Sequence, residues 1–398
     1  MRFEWEPTLA GLIMTLTQSL AASDTHSTTD GPLRSKGLTY PFAEAPAAGQ
    51  LHWVAEDVAW LRLPLPFSLD HINVWILRNE TGLVIVDTGL NTGLTRSLWT
   101  EVLSEHFAGV AVEGVIATHL HPDHLGLAGW LCESHDCPLW MSRTEYLTAR
   151  MLLGQTGASV PESHVAFYQA AGWSEAQLSA WRQGYGQFSR GVAPLPDQYC
   201  RLQDGQGLTI GQETWTVITG GGHSPEHVCL YRSADGLLIG GDQVLPHISS
   251  NVSLWPTEPE ADPLGEWLDS LTRLPERVAD TALVLPSHGL PYVGLKARSE
   301  ALIRGHHRRL ARIWSAIETP ARATDTFEAV FRRAIRDGEL SLATGEVLAH
   351  LQYLVKQGLA LACRDGSGVS WWSRVPGAEF VPPGDLSGPE ESRDDPSH

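Results

Sequence analysis

A chain of 398 residues with a formal net charge of −18 exceeds one typical domain and is too acidic overall for general binding to nucleic acid or anionic membranes. A hydrophobic share of 42% is enough for a sizeable core. The five cysteines, Cys132, Cys137, Cys200, Cys229 and Cys363, are odd in number and scattered, which excludes a disulfide framework and fits buried thiols in a reducing, cytoplasmic setting.

Residues 1–50 read as a weakly ordered leader and linker. The run TLAGLIMTLTQSLAA at 8–22 is apolar like a signal-peptide core, but MRFEWEP before it lacks a basic stretch, so export is the alternative to a cytoplasmic location. The run is too short and too rich in Thr and Gln to span a bilayer, so no membrane partner is expected. A catalytic domain is expected over 51–295. It opens with the short strand-like runs LHWVAEDVAWLRLPL, HINVWILRN and GLVIVDTGL, broken by turn residues. TGLTRSLWTEVLSEHF follows as a helix with Asn91 placed to cap it. VEGVIATHL is a buried strand running into HLHPDH, and DHLGLAGWLCESH reads as a helix. Residues 143–190 lack strand signals and form a helical insertion. Strand patterns return at 199–218, 227–241 and 281–286, with a helix near 263–274, and this mixed order implies a layered α/β domain.

From 296 to 375 the chain changes character. A long amphipathic helix, two shorter ones and a hairpin turning at DGSG together suggest a winged-helix-like domain. Residues 376–398 read as a disordered acidic tail.

The chemistry concentrates at 119–124. His119 and His121 sit two apart at a strand end, so both imidazoles share one face and converge on one ion. Asp123 and His124 follow the bend at Pro122 and point towards a neighbouring position. Imidazole nitrogen and carboxylate oxygen are what zinc and similar divalent ions prefer. The bland alternative, Asp123 capping a helix beside surface histidines, does not explain so dense a cluster. Distant partners are also required. His223 follows three glycines, Asp242 closes the apolar strand LLIGGD, and His288 closes LVLPSH. Each is a polar group at the end of a buried strand, where a rigid scaffold presents a site.

With these residues in view the chain resembles the metallo-β-lactamase-fold metallo-hydrolase superfamily. The resemblance covers roughly 52–295 and rests on DTG at 87–89, HLHPDH at 119–124, His223, Asp242 and His288, in that order. It implies an αββα sandwich with the site at one edge of its two sheets. It also implies two divalent metal ions, zinc in the first place with manganese or iron as alternatives. His119, His121 and His223 would hold one ion and Asp123, His124 and His288 the other, with Asp242 bridging and Asp87 orienting a ligand. A metal-bridged hydroxide would attack a small ester, thioester or lactone, with Asp123 and Asp242 holding it in line as catalytic groups. Zinc β-lactamases usually carry cysteine where Asp242 stands, which speaks against antibiotic hydrolysis. The pattern is closer to the glyoxalase II-like, tRNase Z and lactonase branches, and the trailing domain resembles that of lactamase-β-like proteins.

Two other readings stay open at this level. Between 296 and 336 ten basic residues, Arg308 and Arg309 among them, stand against four acids. Such a stripe on a winged helix would suit a metal-dependent endoribonuclease or phosphodiesterase. Its bland counterpart is a solvated face, or a clamp for an anionic group such as a coenzyme A phosphate. The other reading is a mononuclear-iron persulfide dioxygenase, which the seven-residue set disfavours. A small-molecule substrate is the expected partner, and a homodimer is a possible assembly. His71, His247, Asn251, Trp255 and Tyr292 are candidate pocket residues, with Trp173 or Trp181 as further walls. His71 and Tyr292 read equally well as packed side chains. His227 reads as supporting the site or the fold, and His306 and His307 as solvated.

Overall fold

The computed structural model describes residues 33–67 and 69–382; residues 1–32 of the leader and linker expected over 1–50, and 383–398 of the tail expected over 376–398, lie outside the described residues. Strands β1 (Leu33–Ser35) and β2 (Leu38–Tyr40) open the described chain. A seven-stranded sheet follows in chain order: β3 (Leu51–Ala55), β4 (Val58–Pro64), β5 (His71–Arg78), β6 (Gly82–Val86), β7 (Ala111–Ile116), β8 (Leu139–Ser142) and β9 (Cys200–Leu202). The second sheet contains β10 (Gly207–Ile210), β11 (Glu213–Gly220), β12 (His227–Arg232), β13 (Leu237–Gly241), β14 (Leu283–Pro286) and β15 (Tyr292–Val293). It takes in the two opening strands in the order β1-β2-β15-β14-β13-β12-β11-β10.

Alternation along the strands builds the layers. Val58 and Trp60 of β4, with Trp75 and Leu77 of β5, pack against Trp215, Val217, Leu230 and Ile239 of the second sheet. Their neighbours Ala59, Leu61, Leu63, Val74 and Ile76 face the other way, as a two-residue period requires. There they meet Trp99 and Val102 of α1 (Gly93–His106) and Leu131 of a helix described below. The outer face of the second sheet, Ile218, Cys229, Leu238 and Val284, packs under α-helical Leu264, Trp267 and Leu271. Helix, sheet, sheet and helix therefore stack as an αββα sandwich. Strands buried on both faces explain the near-continuous apolar runs in the sequence.

The helices in chain order are α2 (Pro122–Leu125), α3 (Ala128–His135), α4 (Arg143–Gly154), α5 (Glu162–Ala170), α6 (Glu175–Gln183), α7 (Phe188–Gly191), α8 (Pro263–Arg277), α9 (Leu295–Ala316), α10 (Phe327–Phe331) and α11 (Leu340–Lys356). An antiparallel hairpin, β16 (Ala360–Arg364) with β17 (Ser370–Arg374), is the last regular element among the described residues. Residues 143–190 carry four helices and no strand. Among the described residues no helix is long and apolar enough to cross a membrane.

Four expectations change. Residues 33–40 are not a loose arm but a short hairpin at the sheet edge, with Leu38 and Tyr40 turned into the core; two three-residue strands, joined to the sheet through distant β15, leave little local pattern. The cap of α1 is Thr92, whose hydroxyl accepts from Thr95 N at 3.1 Å, while Asn91 Oδ1 instead accepts from Arg96. His306 and His307 are buried, because α9 lies between α8 and α11 and not at the surface. The cysteines are free, but Cys363 is exposed and not buried.

Candidate metal centre

The seven candidate ligands come from loops at one end of the sandwich. β6 and β7 run parallel, as do β13 and β14, so the chain leaves all four strands on the same side. Asp87 follows β6, His119 to His124 follow β7, Asp242 follows β13 and His288 follows β14. His223 lies in the loop between β11 and β12. There Gly222 has φ +104, and a Cβ on it would lie 2.4 Å from Trp267, so only glycine lets the loop pass this close to α8.

Three groupings result, His119/His121/His223, His119/His124/Asp242 and Asp123/His124/His288, each with its ligand atoms within 4.8 Å of one another. His119 Nε2 and His223 Nε2 lie 2.9 and 3.0 Å from His121 Nδ1. Asp242 stands between the sets. Its Oδ2 is 3.4 Å from His223 Nε2, and its Oδ1 is 3.5 Å from both His124 Nε2 and His288 Nε2. Asp123 Oδ2 closes the second set at 3.5 Å from His124 and 3.4 Å from His288.

The outer ring nitrogens fix the tautomers. His223 Nδ1 donates to Asn251 O at 2.8 Å, His288 Nδ1 to His71 O at 2.7 Å and His124 Nδ1 to Asp87 Oδ2 at 2.8 Å. The Thr118 hydroxyl gives its one proton to Asp87 Oδ2 at 2.9 Å, so it accepts from His119 Nδ1 at 3.0 Å. The Nε2 atoms of these four rings are thereby left with lone pairs facing the cluster, alongside Asp123 and Asp242. His124 Nε2 and Asp242 Oδ1 are buried without a hydrogen-bond partner. Lone pairs and carboxylates facing one another in a largely buried site need positive charge among them. The donor set fits divalent ions that favour nitrogen and oxygen.

The electrostatics divide the site. Burial, with the neighbouring imidazoles, holds His119 well below the usual histidine range, and His121 is pushed down to about 3 by burial and His223. Burial would also depress His124 and His288. It is outweighed by Asp123, Asp242 and Asp87 around His124 and by Asp242 and Asp123 around His288, so both are raised. Burial would raise Asp123, but His124 and His288 bring it down to about 2. Protons and metal ions therefore compete for this second set.

Supporting residues hold the loops. Asp87, with φ +61, accepts from Thr118 N and Oγ1 as well as from His124. This network keeps a non-glycine residue in a costly backbone region. Asp87→Asn is expected to weaken metal binding about 10- to 100-fold, read by competitive chelator titration. His227 accepts from Asp242 N at 3.1 Å. Glu145 at the start of α4 was not foreseen as a site residue. Fully buried, it accepts from Leu120 N at 2.9 Å and Glu226 N at 2.8 Å, joining the loops of His121 and His223. Asn73 likewise donates to Pro286 O and Gly289 O on either side of His288.

The weaker candidates separate. His71 steadies the His288 loop: its ring accepts from Gly289 N at 3.0 Å and its carbonyl takes the His288 proton. Asn251 supplies the carbonyl for His223. Trp255 is 38% exposed on the same loop, and His247 stacks on Tyr40 at 5.4 Å. Tyr292 is not a pocket residue: it is wholly buried and donates to Val244 O. Trp173 is core, donating to Thr344 Oγ1 at 2.9 Å. The basic stripe is largely engaged within the chain. Arg298 and Arg309 are buried, Arg312 binds Ala329 O, and Arg322 and Arg333 pair with Asp325 and Glu339.

A family model for the metallo-beta-lactamase superfamily matches residues 68–288, and one for a metallo-beta-lactamase-like C-terminal domain matches 310–375. A solved beta-lactamase domain protein from Burkholderia ambifaria is 41% identical with a TM-score of 0.77, over 85% of this chain and 98% of that one. The "Probable metallo-hydrolase YqjP" of Bacillus subtilis is 26% identical over 312 residues, 75% of this chain and 92% of its own length. An acyl-coenzyme A thioesterase of Homo sapiens is 26% identical over 205 residues, 49% of this chain and 67% of its own.

Proposed function

The chain belongs to the metallo-beta-lactamase superfamily, and on that premise we propose that it is a two-metal hydrolase of a small acyl substrate, a thioester before an ester or lactone. The observation that carries this reading is Asp242, with one carboxylate oxygen turned to His223 and the other to His124 and His288. His119, His121 and His223 would hold one ion and Asp123, His124 and His288 the second, with Asp242 between the two sets. Two divalent ions there supply Lewis acidity and bring the acidity of water near neutrality.

The chain's own groups do the rest. Asp87 keeps the His124 ring in its working tautomer, and the Asn251 and His71 carbonyls do the same for His223 and His288. Asp123, partly open to solvent, and Asp242 orient the attacking water and take up its proton. The other buried acids beside the cluster, Asp87 and Glu145, are already committed to backbone and side-chain donors. Asp123 or Asp242, once it holds the water's proton, is therefore the group able to return it, and a thiol of pKa about 8.5 depends on that return less than an alkoxide does. The human relative's thioesterase activity supports the same substrate class. We read the three helices and hairpin after β15 as a winged-helix-like wall to this site. With Arg298 and Arg309 buried and Arg312, Arg322 and Arg333 bonded within the chain, it offers a reduced basic face to an RNA backbone.

Turnover is to be measured on acyl-coenzyme A thioesters, aryl esters and lactones, with protein of known metal content. Thioester hydrolysis that chelator removes and added zinc, manganese or iron restores is the expected result. No turnover in any of the three classes by the metal-replete protein would overturn the reading.

A further inference from the structure

The loop that follows Asp242 does not stand by itself: α11 grips it at successive positions. Leu254 N donates to Gly345 O at 2.9 Å, and Asn251 Nδ2 donates to Glu346 Oε2 at 2.9 Å. Ser249 Oγ lies 3.2 Å from His306 Nε2, and His306 Nδ1 lies 3.2 Å from His350 Nε2, with the two rings stacked at 5.3 Å. Approach is so close at Gly345 that a Cβ would sit 2.7 Å from Ser253. The residue held in this grip, Asn251, is the one whose carbonyl accepts the His223 Nδ1 proton at 2.8 Å. Trp267 packs beside both His223 and His306, at ring separations of 6.4 and 6.5 Å.

We propose that Glu346, wholly buried on α11, is a positioning residue for the His119/His121/His223 metal site, acting through Asn251 on the orientation and tautomer of His223. The C-terminal domain is thereby part of the metal centre's support. This rests on the two-metal reading above. Glu346 accepts from the Asn251 side-chain amide and Gly345 O from Leu254 N, so this stretch of loop is pinned on α11 with the Asn251 carbonyl facing Nδ1 and Nε2 left as the lone pair facing His121. Loss of such support around a ligating histidine typically lowers metal affinity about 10- to 100-fold.

The test is cobalt(II) titration of the metal-free full chain, followed by visible absorption and by melting temperature. Wild-type protein is compared with Glu346→Gln, Glu346→Leu and Asn251→Ala. Expected are a folded Glu346→Leu protein in which one cobalt-binding step is weakened at least about tenfold, with an altered cobalt spectrum, and near-normal binding by Glu346→Gln, which keeps an acceptor oxygen. A role in stability alone would lower the melting temperature and leave the cobalt spectrum unchanged, and that result overturns the proposal. If Glu346→Leu does not fold, Asn251→Ala decides by the same two outcomes, since it removes the amide and keeps the carbonyl. Wild-type protein that takes up no cobalt would remove the two-metal reading itself, a different failure from variants that bind like wild type.

Discussion

Asp242→Asn is expected to lower kcat/KM on the best acyl substrate at least about 10³-fold, about 4 kcal/mol in barrier. The carboxylate faces both halves of the cluster, 3.4 Å from His223 and 3.5 Å from His124 and His288. An asparagine there loses the charge and keeps one acceptor, and its amide turns an N–H towards at least one imidazole lone pair. Two ions held there would lose a shared anion. Fold disruption is not the cause to be expected, because His227 holds residue 242 through its backbone N–H at 3.1 Å. Kinetics are to be read beside metal content and melting temperature. A variant that keeps its metal and more than a tenth of the activity would show that Asp242 does not link the two sets.

Glu145→Ala is expected to be the most damaging change outside the ligands, destabilising the protein by about 3–5 kcal/mol. Its two oxygens satisfy the buried amides of Leu120 and Glu226. Each amide left without a partner costs about 1–3 kcal/mol, and the vacated volume adds to that. Because Leu120 stands between His119 and His121, and Glu226 three residues after His223, the same change loosens both loops and weakens metal binding. Denaturant unfolding of the metal-free protein gives the stability term and chelator titration gives the other. A loss below about 1 kcal/mol with metal affinity intact would contradict the joining role.

The clustering of the candidate ligands was legible because of where its members sit. A polar residue ending a long apolar strand has few structural uses, and His119, Asp242 and His288 all occupy that position. The close-packed glycines before His223 gave a similar signal. Glu145 and Glu346 carried none. A glutamate in the first turn of α4 is favoured by the helix dipole anyway, and one inside α11 looks like any solvated helix face until a loop distant in sequence lies upon it. The same reason explains His306 and His307: LIRGHHRRL reads as a charged surface, and only packing by α8 and α11 turns its histidines inward. Tyr292 failed in the opposite direction, since proximity in sequence to His288 says nothing about which face of a two-residue strand is buried. Fold class was easier, because runs buried on both sides need two layers to cover them. The edge strands β1 and β2 escaped notice because three residues are too few to show a period.

The most direct test is anomalous diffraction from crystals of the zinc-loaded chain. Two zinc peaks are expected, one among His119, His121 and His223 and one among Asp123, His124 and His288, with Asp242 touching both. A single peak, or peaks away from these seven side chains, would contradict the two-metal centre.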